Sequence, residues 1–279
     1  APPIVAGLAL WLGWRWAFVI TGASGFLLLA VWWRFYRAPE DAAWLEPGER
    51  SYVVTSRDAA GAPAADEAGS TWTLLADRRC LGLICVRFFT DSFSFFVNFW
   101  LIDYFQTQRG FSLQLVAMLA WIPYLASPLF GGPLGGAASD WLIRRGVAPN
   151  VARRRLLFVA ACVMPLSLAA VHTGSTFWAV AIITLLVAAQ GCWMVNLLTL
   201  CSELVPRTQV ARVVALSGIG GSIGGILTTL LAGKLIATAG YVPVFTGLGF
   251  LHLFAFGILA YTQRPAARSA SDRIHGRES

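Results

Sequence analysis

Charge is scarce in this 279-residue chain: only 13% of its residues are Asp, Glu, Lys or Arg, about half the share in a typical soluble domain. That deficit excludes an ordinary water-facing globule. Lysine is almost absent, with Lys234 the single example, so the basic side is carried by arginine. Histidine is limited to His172, His252 and His275, too scattered for a metal set. A lone His252 inside an apolar run reads as hydrogen-bonded structure. The five cysteines (Cys80, Cys85, Cys162, Cys192 and Cys201) fall in or beside apolar runs and never at C-x-x-C spacing. This argues against a redox pair, a zinc site or a disulfide framework. No Ser or Cys nucleophile stands near a plausible base, and no Lys-Ser/Thr pair completes the glycine-rich segments as a phosphate loop. An enzyme is therefore not expected, no catalytic residue is assigned, and no cofactor is implied.

What is present is apolar. Hydrophobic residues make up 57% of the chain, with 12 Trp, 18 Phe and 27 Gly, and the mean hydropathy is +0.66. That composition fits a helical protein that crosses the bilayer many times. Apolar runs at 16–33, 81–102, 113–134, 156–171, 177–200, 213–239 and 242–262 each approach the roughly 20 residues a crossing helix needs. A shorter run over Ile4–Leu12 follows Ala1-Pro2-Pro3 and reads as the end of a span, so the chain is expected to be the C-terminal part of a longer protein. It lacks the basic leader and small-residue cleavage site of a signal peptide.

The formal charge of +7 has a topological explanation. Seventeen arginines fall in the connections 34–80, 139–155 and 201–212 and in the tail after 263, whereas the alternate connections hold only Arg15 and Arg109. The positive-inside rule places the rich side in the cytoplasm of a cell (inner) membrane protein. No soluble basic face interleaved with aromatics is available, so nucleic acid is not a partner. The expected partners are the lipid bilayer, a small substrate and an N-terminal half not contained in this chain.

The expected organisation is a partial helix and one full span over 1–36, a cytoplasmic linker over 37–79, a six-helix bundle over 80–263 and a cytoplasmic tail over 264–279. The linker is rich in Ala, Gly, Pro, Asp and Glu, and its Glu40, Asp41, Glu46 and Glu49 read as a solvated charge run rather than the cap of a surface helix. Six spans after a linker match one half of a transporter built from two six-helix bundles, with binding at the midplane between them. The fold class is all-α and membrane-embedded.

Polar residues within spans are the candidates for function. At 100° per residue, Arg87, Asp91, Ser94 and Asn98 form one stripe on the span 81–102. Each intramembrane charge costs about 2.5–3.5 kcal/mol on insertion scales, so such residues face a cavity or a partner. Arg87 and Asp91, four apart, can also simply pair. On 177–200, Asn196 offers donors and an acceptor to a ligand and Trp193 a flat face for a sugar-like ring, while Gln190 reads as a hydrogen-bonding link between helices. Gly220-x-x-x-Gly224 and Gly221-x-x-x-Gly225 on 213–239, and the run Gly131-Gly132-Pro133-Leu134-Gly135-Gly136, predict close backbone approach.

Between the second and third spans after the linker lies Gly135-Gly136-Ala137-Ala138-Ser139-Asp140-Trp141-Leu142-Ile143-Arg144-Arg145-Gly146. This resembles the short cytoplasmic signature of the major facilitator superfamily. In that reading Gly136, Asp140, Arg144 and Arg145 form a gating motif, with Asp140 paired to Arg144 or Arg145 in one access state. Within the superfamily the chain is similar to the anion:cation symporters, in particular to sugar-acid permeases. The likeness is carried by Gly13-Trp14-Arg15-Trp16-Ala17-Phe18, Arg87-Phe88-Phe89-Thr90-Asp91, Arg109-Gly110-Phe111-Ser112, the Asp140 motif, and Asn196 followed by Glu203-Leu204-Val205-Pro206. Ser92 and Asp103 stand where hexuronate permeases usually carry proline.

The resemblance implies the C-terminal bundle of a monomeric, proton-coupled symporter that imports hexuronates or related organic anions, with Asn196 matching a substrate-contacting asparagine. It also implies that the main coupling charges lie in helices outside this chain. Efflux by the same fold, or a transport-inactive membrane sensor or assembly subunit, are the other functions the pattern admits.

Overall fold

Residues 2–42, 44–59 and 71–263 are described in the computed structural model, and every regular element among them is helical. The centre of the linker and the tail after Gln263 lie outside the described residues. Seven helical segments among the described residues are long and apolar enough to cross a membrane, and they coincide with the seven apolar runs.

The described residues divide into two units. The first comprises 1–69 and 105–122. It contains α1 (Pro2–Leu12), α2 (Trp14–Phe35), α3 (Pro47–Ala59) and α6 (Leu113–Leu119). Gly13, with φ of 86°, supplies the left-handed residue that separates α1 from α2. Only Ala17 of α2 is buried, whereas Phe18, Phe26, Leu28 and Trp33 are each more than 70% exposed. A helix that is apolar all round is suited to lipid rather than to water.

The acidic stretch of the linker does more than expected. Pro47 opens the 13-residue α3, Glu49 sits in its first turn, and Arg50 Nη2 donates to the Ala42 carbonyl at 2.6 Å. A proline at the first helical position and an acid beside the exposed N–H groups favour a helix start. That local chemistry outweighs a freely solvated run.

The second unit comprises 70–104 and 123–279. It holds α4 (Thr71–Ala76), α5 (Arg78–Asp103), most of α7 (Trp121–Ala126), α8 (Gly132–Arg144), α9 (Pro149–Val163), α10 (Ser167–His172), α11 (Thr176–Leu204), α12 (Arg207–Ala239) and α13 (Tyr241–Thr262). The side chains of Asp77 and Ser175 cap α5 and α11 by accepting from backbone N–H groups at 2.7 and 3.5 Å. Most of these helices run several residues past their apolar cores, because arginines and caps extend helical structure beyond the hydrocarbon. Two interruptions fall at prolines. A wide π turn at Ser127–Gly131 precedes α8, and a tight turn at Met164–Leu166 separates α9 from α10.

Two seams of small residues set the packing. Along the first, α12 lies on α5, with Gly220 over the Ile84 carbonyl and Gly224 over that of Phe88. A methyl group on Gly224 would overlap the Phe88 carbonyl, and one on Gly221 would overlap the Asp91 carboxyl. Hydroxyls reinforce this seam: Thr228 donates to Ser92 Oγ at 2.7 Å, and Ser92 lies 3.4 Å from the Gly224 carbonyl. Along the second, Gly131 and Gly135 bring the chain onto α11 at Ala188 and Cys192, and Gly191 returns the contact at Ser127. The close approach expected from both glycine patterns is present. Across the unit, aromatic pairs join α5 to α13, among them Phe89 with Phe254 and Phe96 with Phe245, at centroid separations of 5.0 and 5.2 Å.

Candidate functional site in the second unit

The polar stripe of α5 begins with an ion pair. Arg87 reaches one turn along its own helix, and its Nη2 and Nε lie 2.7 and 3.1 Å from Asp91 Oδ2. The pair is largely enclosed, with side-chain exposures of 15% and 9%. Asp91 Oδ1 is buried and has no hydrogen-bond partner. The pairing lowers the cost of holding two charges in a span, and the missing side chain of Gly221 makes room for the carboxyl.

One turn further along, Ser94 is half-buried and Asn98 is exposed. Ser94 Oγ accepts from Gln190 Nε2 at 3.0 Å, and the same amide nitrogen lies 3.3 Å from the Thr90 carbonyl. Gln190 Oε1 faces His252 Nε2 at 2.5 Å. Gln190 thus links α5, α11 and α13, as a hydrogen-bonding link between helices should. His252 is 0% exposed, and its other ring nitrogen has no partner. Its imidazole stands edge to face with the indole of Trp193 at 5.1 Å.

Trp193 and Asn196 occupy positions different from those expected. Both are 0% exposed, so neither opens onto a cavity shared with Ser94 and Asn98. Asn196 Nδ2 donates to the Gly135 carbonyl at 3.3 Å and to the Cys192 carbonyl of its own helix at 2.9 Å. The cause lies in the second glycine seam. Gly135 brings α8 down on α11 at Cys192, one turn before Asn196, and the amide meets the backbone there. The buried Asn196 Oδ1 and Trp193 Nε1 have no partner.

At the far end of α8 the arginine that pairs with Asp140 is neither Arg144 nor Arg145. It is Arg153 on α9, whose Nη2 lies 3.2 Å from Asp140 Oδ1 and whose Nε lies 3.5 Å from Glu203 Oε1 on α11. Arg153 Nη1 also donates to Ser139 Oγ. Arg144 and Arg145 end α8 at exposed positions, and Arg145 covers the Trp141 ring at 3.9 Å. Helical geometry explains the substitution. Residues 140 and 144 share a helix face, but α9 returns antiparallel to α8 after the turn at Gly146 and presents Arg153 to two acidic helix ends at once. Gly136 accepts a hydrogen bond from the buried Ser139 at 2.8 Å. No group of His, Cys, Asp and Glu able to hold a metal ion occurs among the described residues.

Helical throughout its described residues, with seven membrane-length spans among them, packed by glycine seams and carrying a largely enclosed ion pair, the chain is a multi-pass membrane protein of the secondary-transporter kind. The chain belongs to the Major Facilitator Superfamily, whose family model matches residues 1–227. It is 27% identical over 281 residues to the hexuronate transporter of Escherichia coli strain K12, covering 99% of this chain and 64% of that protein. To the D-galactonate transporter of E. coli O6:H1 it is 23% identical, over 93% of this chain and 61% of the relative. The galacturonate transporter of Dickeya chrysanthemi is 32% identical over 136 residues, covering 49% of this chain and 39% of that protein. The chain spans less than two thirds of the length of these relatives. The family and these relatives are transporters rather than enzymes.

Proposed function

We propose that the chain forms part of a proton-coupled symporter that imports sugar acids such as hexuronates across the inner membrane. The observation that carries this reading is the stripe Arg87, Asp91, Ser94 and Asn98 on α5, which grades from a largely enclosed ion pair to an exposed amide within one helix face. Hydroxyl and amide groups on one helix face suit a polyhydroxylated acid, and Arg87 supplies positive charge near a carboxylate. Trp193 packs on His252 and Asn196 ties α11 to α8, both enclosed within the unit. The names of the relatives favour the same substrate class. Uptake of labelled galacturonate, galactonate and phthalate by cells carrying the full-length gene tests the assignment. Sugar-acid uptake that a protonophore abolishes and sodium removal leaves intact is the expected result. Accumulation of none of the three acids would refute it.

The same reading makes the Arg153 cluster a gate. Arg153→Gln removes a cation shared by Asp140 and Glu203, and is expected to slow transport severalfold while leaving the substrate concentration for half-maximal rate within twofold. Asp140→Asn should act in the same direction but more weakly, because Glu203 keeps the cation. Each of these partly exposed contacts is worth about 0.2–1 kcal/mol. Arg145→Ala, which removes only a ring contact, should leave the rate unchanged. Counterflow and initial-rate measurements on the same membranes separate these effects.

Topology gives a further check. With the arginine-rich connections inside, a cysteine at position 108 should react with an impermeant thiol reagent in intact cells, and one at 148 only after permeabilisation. Both positions are exposed in the structure. The labelling belongs in a variant whose native cysteines are replaced, and the opposite pattern would invert the orientation.

A further inference from the structure

Hydroxyls buried in membrane helices usually donate back to the carbonyl one turn earlier. Thr90, Thr184, Thr199, Thr229 and Thr246 all do so in this chain, at 2.7–3.0 Å. Ser94 does not. The carbonyl one turn before it belongs to Thr90, and that oxygen instead lies 3.3 Å from Gln190 Nε2, which also donates to Ser94 Oγ at 3.0 Å.

Hydrogen-bond polarity fixes the rest of the chain. A backbone carbonyl can only accept, so the Thr90 oxygen forces the NH2 group of Gln190 toward α5 and the Gln190 carbonyl toward α13. That carbonyl can also only accept. In this amide orientation His252 Nε2, 2.5 Å away, carries the ring hydrogen. The relay runs in one direction, from His252 through Gln190 to Ser94. It ends at a hydroxyl whose oxygen already accepts and whose hydrogen has no acceptor among the described residues. Ser94 is half-buried, with Gln190 and His252 behind it at 5% and 0% exposure. The walls around the imidazole are aromatic: Phe93 from α5 and Trp193 from α11 stand edge to face with it at 6.2 and 5.1 Å.

We infer that His252 is a positioning residue that acts through Gln190 to present Ser94 as a hydrogen-bond donor to a carboxylate or hydroxyl oxygen of the transported acid. The inference rests on the proposed function, in which Ser94 faces substrate. Without the ring N–H, the Gln190 amide is free to turn. Ser94 can then fall back on the Thr90 carbonyl and withdraw its hydrogen from the substrate side.

The test is a double-variant cycle on galacturonate uptake by the full-length protein, with rates normalised to membrane abundance. Ser94→Ala and His252→Phe should each raise the apparent KM about fivefold. The double variant should match Ser94→Ala alone, because both changes break one chain. His252→Gln, whose amide can still donate to Gln190 Oε1, should lie closer to the parent than His252→Phe. A purely structural role for His252 predicts lower abundance with unchanged KM, or effects that multiply in the double variant, and either result overturns the inference. An unchanged KM in Ser94→Ala overturns the placement of Ser94 at the substrate and the inference with it. A raised KM in Ser94→Ala with an unchanged KM in His252→Phe overturns the inference alone. Should His252→Phe not reach the membrane, Gln190→Met breaks the relay at its centre. Its KM must then match that of Ser94→Ala, and a parental KM refutes the relay.

Discussion

Asp91→Leu in the full-length protein is expected to cost about 3–5 kcal/mol of stability, the range found when one partner of a buried ion pair is removed. The Arg87 guanidinium, 15% exposed and paired among the described residues with Asp91 Oδ2, would be left charged inside the bilayer. Arginine cannot shed its proton there. Arg87→Leu should be milder, because a carboxylate deprived of its partner can take up a proton and become neutral. The two variants therefore differ in degree, with Asp91→Leu showing the lower membrane abundance and the lower unfolding temperature. The paired change Arg87→Met with Asp91→Leu should recover abundance but not transport, since no uncompensated charge remains and the polar wall is lost. Fluorescence-detected size exclusion after stepwise heating reads the stability, and uptake on the same cells reads the function. Equal behaviour of the two single variants would contradict the asymmetry.

A second large effect is expected at the seam between α5 and α12. Gly224→Val places a branched side chain where even a methyl group overlaps the Phe88 carbonyl, and backbone cannot step aside as a flexible side chain can. Overpacking of this kind costs about 1–3 kcal/mol when neighbours can adjust, and more when they cannot. The variant should fail to accumulate, and Gly224→Ala should already lower the unfolding temperature. Gly247→Ala and Gly257→Ala on α13 serve as controls, because an added methyl group at either would meet no atom within 4 Å. They should be neutral or slightly stabilising through helix propensity. The heating series described above distinguishes these outcomes.

The spans, the glycine seams and the Arg87–Asp91 pair were legible in the sequence because each depends on local signals: hydropathy over about 20 residues, a four-residue glycine spacing, and two charges one turn apart. The Arg153 cluster was not. Its members at 139, 140, 153 and 203 lie on three helices, and the nearer Arg144 and Arg145 offered a plausible local answer. The enclosure of Asn196 was not legible for a different reason. α11 is apolar on nearly every side, so periodicity does not reveal which of its faces is enclosed, and the contact with Gly135 depends on how α8 descends after the proline-rich turn. The relay through Gln190 joins residues separated by 96 and 62 positions. His252 read as a structural histidine. It is enclosed and hydrogen-bonded to Gln190, and the direction of that bond turns on the Thr90 carbonyl of another helix.

The seam between α5 and α12 also has a mechanical meaning. Where Gly224 rests on the Phe88 carbonyl, backbone meets backbone and little soft material is left to absorb displacement. The two helices behave as one laminated plank rather than two rods, and a push on either is delivered to the other without slack. Aromatic pairs of Phe89 with Phe254 and Phe96 with Phe245 tie α13 to the same plank. The polar face of α5 is thereby held as a rigid template.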